Sequence, residues 1–134
     1  MKTEYLEIYD HDSDVDITHK INTTELDNWI SHIKYIQKEL ENLTGIYSAI
    51  SQTVEEDGVL NKLSKKQAEN QILLNALNKY VLLRSNLIEC DDMQCDMVYI
   101  TEHESYRRTY LYHIDKYRRL KDEVYSVIQA KLTL

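Results

Sequence analysis

Residues 26–54 read LDNWISHIKYIQKELENLTGIYSAISQTV, and their spacing decides the fold class. Leu26, Ile33, Leu40, Tyr47 and Val54 recur every seven residues, and Trp29, Ile36, Leu43 and Ile50 fill the interleaved positions. Apolar side chains at all nine of these positions form the seam of a coiled coil or of an elongated helical bundle. Upstream, Thr23 and Thr24 offer an N-cap, with Glu25 and Asp27 in a first turn whose dipole favours acids. Downstream, Glu55-Glu56-Asp57-Gly58 breaks the pattern, because no apolar residue holds the next seam positions and Gly58 can take the left-handed closing conformation. The spacing therefore predicts a first helix over about residues 24–56.

Ser64 with Gln67 fits a capping box, which predicts a second helix over about 64–90, with Val59, Leu60 and Leu63 folded over the end of the bundle. Between Ile72 and Ile88 eleven of seventeen residues are apolar, more than one buried stripe needs. Such a helix is either central or shared with a second subunit. Cys90-Asp91-Asp92 then offers a turn with an acidic cap, and a helix running straight through it is the alternative reading. The third helix is predicted over about 92–131. Its seam carries Tyr99, His103, Tyr106, Tyr110, His113, Tyr117, Leu120, Val124 and Val127, with Ile100, Ile114 and Ile128 beside it. At about 1.5 Å per residue the three helices span roughly 50, 40 and 60 Å, comparable enough to lie antiparallel. The expected fold is mainly all-α, an elongated antiparallel bundle of three long helices.

The N-terminal part has a different texture. Val15, Ile17, His19 and Ile21 alternate with Asp14, Asp16, Thr18 and Lys20, and Leu6 and Ile8 oppose Tyr5, Glu7 and Tyr9. With turn-forming Asp10-His11-Asp12-Ser13 between them, the pattern predicts a small β-hairpin, a solvated acidic tail being the alternative. The chain thus divides into an acidic extension, residues 1–22, and a helical bundle domain, residues 23–134.

Composition supports a helical reading. The 134 residues include two glycines and no proline, too few for the turns of a β-sandwich or barrel, and 43% are hydrophobic, which excludes a charge-swollen disordered chain. The longest apolar runs are about four residues, against about 20 for a membrane span. The opening MKTEYLEIYD has acids where a secretory signal needs a continuous apolar stretch, so the expected location is the cytoplasm and no membrane partner is expected. Cys90 and Cys95 are accordingly read as two free thiols. The net charge of −7 is unevenly distributed: −9 over residues 1–57, −2 over 58–104 and +4 over 105–134. Opposed ends can attract within one chain or between two.

Two constellations could carry function. His103, Tyr106, Tyr110 and His113 form a polar seam where a bundle normally places Leu or Ile, and buried phenols and imidazoles need partners. They suggest a small-ligand or metal site, completed by His32 or Glu39, although paired Glu-x-x-His or His-x-x-x-His spacing is absent. The blander reading makes the tyrosines the large aromatics of a chain without Phe. Arg107, Arg108, Arg118 and Arg119, interleaved with Tyr106, Tyr110, Tyr112 and Tyr117, suggest a partner-binding face of the kind nucleic-acid binders use. Against it stand i,i+4 acids at Glu104, Asp115 and Glu123 and the net charge of −7.

The alternating aspartates 10, 12, 14 and 16 fail the calcium-loop register, since Ile17 and Thr23 stand where Gly and Glu are required. Cys90, Cys95 and His103 supply no fourth zinc ligand. Nucleophile-elbow, phosphate-loop and His-Glu-x-x-His motifs are absent, so no cofactor, metal or catalytic residue is expected. The expected function is a non-catalytic helical interaction protein that self-associates as a homodimer or meets another protein. A nucleic-acid binder using the third helix is the first alternative, and a ligand- or metal-binding bundle the second.

Overall fold

A computed structural model of the chain describes residues 13–51, 57–86, 90 and 92–133. Within them the fold is mainly all-α, with three helices, α1 (Asp14–Ile50), α2 (Val59–Arg84) and α3 (Met93–Leu132), and no strand. At about 1.5 Å per residue these run roughly 56, 39 and 60 Å.

The predicted hairpin is corrected. Asp14 to Ile21, its second strand, is the start of α1, while its first strand lies outside the described residues. Ser13 caps α1 by accepting the Asp16 N–H at 3.2 Å, and Asp14 and Asp16 sit in the first turn, where the dipole favours them. The alternation misled because the helix buries polar residues there: His19 and Asn22 occupy the core positions two turns and one turn before Leu26. From Leu26 to Ile50, where α1 ends, the heptad reading holds; Val54 and the predicted helix end near 56 lie outside the described residues, and the helix starts at Asp14 rather than at a Thr23 or Thr24 cap. Leu26, Trp29, Ile33, Ile36, Leu40, Leu43 and Tyr47 are all buried, and Ile50 packs partly buried against them. Each large apolar side chain removed from water stabilises the fold by about 1.5–3 kcal/mol.

After α1, Asp57 organises the turn, accepting the Tyr47 hydroxyl at 2.5 Å and the Val59 N–H at 3.1 Å. Gly58 has φ +72°, a left-handed conformation that a side chain would strain. Helix α2 therefore starts at Val59, five residues before the predicted capping box. Val59 and Leu63, expected to fold over the bundle end, are fully buried core residues. The seam of α2 reads Val59, Lys66, Leu73, Tyr80 interleaved with Leu63, Asn70, Leu77, Arg84. The helix ends at Arg84 rather than near residue 90. Asp92 then caps α3 through the Cys95 N–H at 2.7 Å, so the helix breaks at the predicted turn instead of running through it.

Cross-helix contacts give the direction of packing. Arg84 reaches His19 and Thr23, and Asn70 reaches Ile33 and Gln37, so α2 runs back along α1. Tyr99 meets Leu83, His113 meets Asn70 and Lys62 meets Glu123, so α3 runs back along α2 and parallel to α1.

Candidate functional site

The third helix crosses the first in a regular polar ladder. His19 meets Asp96, Glu25 meets His103, His32 meets Tyr110 and Glu39 meets Tyr117, at sequence separations of 77, 78, 78 and 78. On α3 these positions recur every seven residues, which is the seam read from the sequence; the partners on α1 supply the hydrogen bonds that buried polar groups require.

The second rung is the most enclosed. His103 and Tyr80 are both 0% exposed. His103 Nδ1 lies 2.7 Å from the Tyr80 hydroxyl and Nε2 lies 2.8 Å from Glu25 Oε1. Arg84 donates to the Tyr80 oxygen at 3.2 Å, and Arg107 donates to both Glu25 oxygens at 2.8 and 2.6 Å. These contacts select one proton arrangement. The Glu25 carboxylate, held below its usual range first by Arg107, accepts from Nε2–H. Nδ1 is then the acceptor of the Tyr80 hydroxyl proton, whose oxygen already accepts from Arg84. A second imidazole proton would leave two donors facing each other, and burial lowers the His103 pKa in the same sense. Trp29 stacks on the imidazole with centroids 4.8 Å apart, and Tyr106 stacks on Tyr80 at 4.2 Å.

Carboxylate, imidazole and hydroxyl in that order are the parts of a nucleophilic triad. Here they cannot serve one: no substrate reaches a hydroxyl and imidazole with no exposed surface, and burial raises the Tyr80 pKa, which disfavours the phenolate. The rung is a structural relay joining all three helices.

His113 sits ten residues further along α3, about 15 Å away. Its Nε2 donates to Asn70 Oδ1 at 2.8 Å, while Asn70 donates to the Ile33 carbonyl at 3.0 Å and to Gln37 at 3.2 Å. Burial, followed by the charge of Lys66, lowers its pKa to about 4. Tyr110 contacts His32 at 2.5 Å and stacks on Trp29, and Tyr117 donates to Glu39, which Lys121 also holds at 2.9 Å. The predicted seam residues therefore line the core but do not converge on one point: His103 and Tyr106 gather around Tyr80, Tyr110 stacks on Trp29 and bonds to His32, and His113 belongs to Asn70. Among the described residues no group of three or more His, Cys, Asp or Glu is placed to hold a metal ion.

The four arginines do not form one face. Arg107 is engaged by Glu25, and Arg119 pairs with Asp115 at 3.1 Å. Arg118 is close enough for its charge to add to the burial that lowers the His32 pKa and to oppose the burial that raises the Tyr110 pKa, which places it toward α1. Arg119 lines a groove with the lysines of α2, and Arg108 borders Met97, Val98 and Thr101. Three ion pairs, Glu25–Arg107, Glu39–Lys121 and Asp57–Lys131, join the acidic first part to the basic third helix.

Cys90 and Cys95 form a disulfide, correcting the expectation of free thiols. The turn between α2 and α3 brings residues five apart to a Cα separation of 5.5 Å, within bonding range. Cys90 borders an open groove of about 660 Å³ between α1 and α2, beside Arg84, His19 and Asp96. Sequence reasoning missed Glu25, Tyr80, Arg84 and Asn70 as partners of the seam. A seven-residue count from Val59 would have placed Tyr80 on the core face of α2, and one from Leu63 would have placed Asn70 and Arg84 there. No protein-family model, curated protein or solved structure matches the chain.

Proposed function

We propose that this chain is a non-catalytic helical-bundle protein that acts through protein–protein contact, in the first place by forming an antiparallel three-helix protomer that pairs with a second copy as a homodimer. The observation that carries the reading is the apolar surface at the end of the molecule where α2 passes into α3. Leu82 and Leu83 of α2 and Met93, Met97 and Val98 of α3 are 49–73% exposed. A monomer rarely leaves so many large apolar side chains in water at one end, and such surface is characteristic of interaction sites. It is also the part of α2 whose apolar content exceeds what the core uses.

Light scattering across the micromolar range tests the proposal. A dimer mass is expected, with Leu82→Glu shifting the chain to monomer while its helical circular-dichroism signal is retained, since Leu82 is 72% exposed. A wild-type chain that stays monomeric at high micromolar concentration overturns the homodimer.

A further inference from the structure

We propose that the groove between α2 and α3 binds a nucleotide, its phosphates among Lys62, Lys65, Lys116 and Arg119 and its base against the ring of Tyr112. This site lies toward the start of α2, away from the apolar end assigned to self-association, and does not depend on that reading.

Two depressions of about 370 and 380 Å³ lie side by side between α2 and α3, with Lys66, Glu69 and Lys116 bordering both. One end is bordered by Ile72, Leu73, Ala76 and Tyr112, the other by Lys62, Lys65, Lys66, Lys116 and Arg119. Five cations line that end with Glu69 and Glu123, and Asp115 pairs with Arg119 beside it, in a chain whose net charge is −7. Gathering like charges is unfavourable unless an anion answers them. The carboxylates already present answer them incompletely. Lys62 and Glu123 pair at 2.6 Å with both side chains about half exposed, an arrangement that water and ligand exchange at little cost. Lys65 acts on Glu69 through its charge without a direct ion pair, and Lys116 stands over the Tyr112 ring rather than on a carboxylate, whereas Lys66 is nearly buried on Glu69 at 2.8 Å.

Several lysines spaced around one groove favour a ligand with several negative charges over a single carboxylate. The other end specifies what accompanies them. Leu73 is 6% exposed, so the accessible apolar surface reduces to Ile72, Ala76 and the Tyr112 ring, too little for an acyl chain. Tyr112 is 64% exposed and Lys116 Nζ stands 5.1 Å from its ring centre, joining an aromatic platform to the cationic end. Thr109 and His113 place polar groups beside it. A planar heteroaromatic base with a phosphate tail matches both ends, with side-chain cations doing what a glycine loop does elsewhere.

Equilibrium dialysis of the full chain against ATP, inorganic tripolyphosphate and dodecyl phosphate tests the assignment, at low and at high salt. Saturable binding of one ATP is expected, tighter than tripolyphosphate and weakened by salt. Lys65→Glu with Lys116→Glu is expected to weaken ATP about tenfold or more, and Tyr112→Ala about fivefold while leaving tripolyphosphate unchanged. All three positions are exposed, and unchanged melting curves verify that the variants fold. The proposal is overturned by any of four outcomes: absence of saturable ATP binding at low salt, indifference to the double variant, equal affinity for tripolyphosphate, or tighter binding of dodecyl phosphate.

Discussion

Glu25 and His103 meet at 2.8 Å across α1 and α3, with the imidazole sealed from solvent and the carboxylate shared with Arg107. One acid thereby satisfies a neutral ring and a guanidinium at once. Because His103 passes its other nitrogen to Tyr80, and Tyr80 accepts from Arg84, this single contact ties the order of all three helices together.

Removing the acid should cost more than a surface ion pair does. Glu25→Ala strands the His103 Nε2–H in the core and leaves Arg107 half-buried without its partner, a loss of about 2–4 kcal/mol in urea unfolding. Arg107→Ala alone should cost less, because His103 keeps its acceptor. A double-mutant cycle between the two positions should give a coupling of about 1–2 kcal/mol, the excess over that belonging to the imidazole. Equal losses for both single variants, with full coupling, would show that His103 does not depend on Glu25.

Acid should destabilise the fold in two stages. His113 and His103 both have pKa values lowered by burial, His113 to about 4, against about 6.5 in the unfolded chain. The unfolded chain therefore binds protons first as pH falls, so the stability the two rings contribute is complete above about pH 6.5 and is lost on the way down through the folded pKa. His113 alone accounts for a loss on the order of 3 kcal/mol by pH 4. Glu25, Glu39 and Glu69 have lowered pKa values too, each through hydrogen bonds from neighbouring side chains, and their share is lost only below the ordinary carboxylate range. Urea midpoints measured from pH 7.5 to 4.5 should fall, and His113→Gln should flatten that slope. A midpoint constant to pH 4.5 contradicts the neutral, buried rings.

The sequence displayed the parts of the fold that are apolar and hid those that are polar. Residues 26–50 were legible because every core position carries an apolar side chain. Residues 14–22 were misread because His19 and Asn22 take core positions there, one anchored by Asp96 and both covered by packing that no local pattern announces. The start of α2 was displaced for a similar reason. Asp57 and Gly58 set it through a side-chain hydrogen bond and a positive φ, whereas Ser64 and Gln67 only imitate a cap. On the site, the spacing of His103, Tyr110 and Tyr117 was visible, but their partners lie 78 residues away. Only the packing of three helices supplies that pairing. The disulfide was hidden likewise, since five residues along a continuous helix would diverge and the turn alone brings the sulfurs together.

That turn supplies the last test, because Asp92 and the disulfide fix the same corner by independent means. Asp92 accepts the Cys95 N–H at 2.7 Å, satisfying a donor at the exposed start of α3 and setting a carboxylate at the positive end of its dipole. Asp92→Ala should cost about 1 kcal/mol, as loss of an N-cap does, whereas Asp92→Asn should cost only a few tenths because the acceptor survives. The disulfide holds Cys95 beside the cap, so reduction leaves the corner to Asp92 alone. The penalty of Asp92→Ala should therefore be larger in reduced protein than in oxidised protein. Urea unfolding of both forms, with thiol alkylation to verify the redox state, measures the difference. If Asp92→Ala is neutral in reduced protein, α3 continues without a cap and the alternative of an unbroken helix through residues 90–92 is restored.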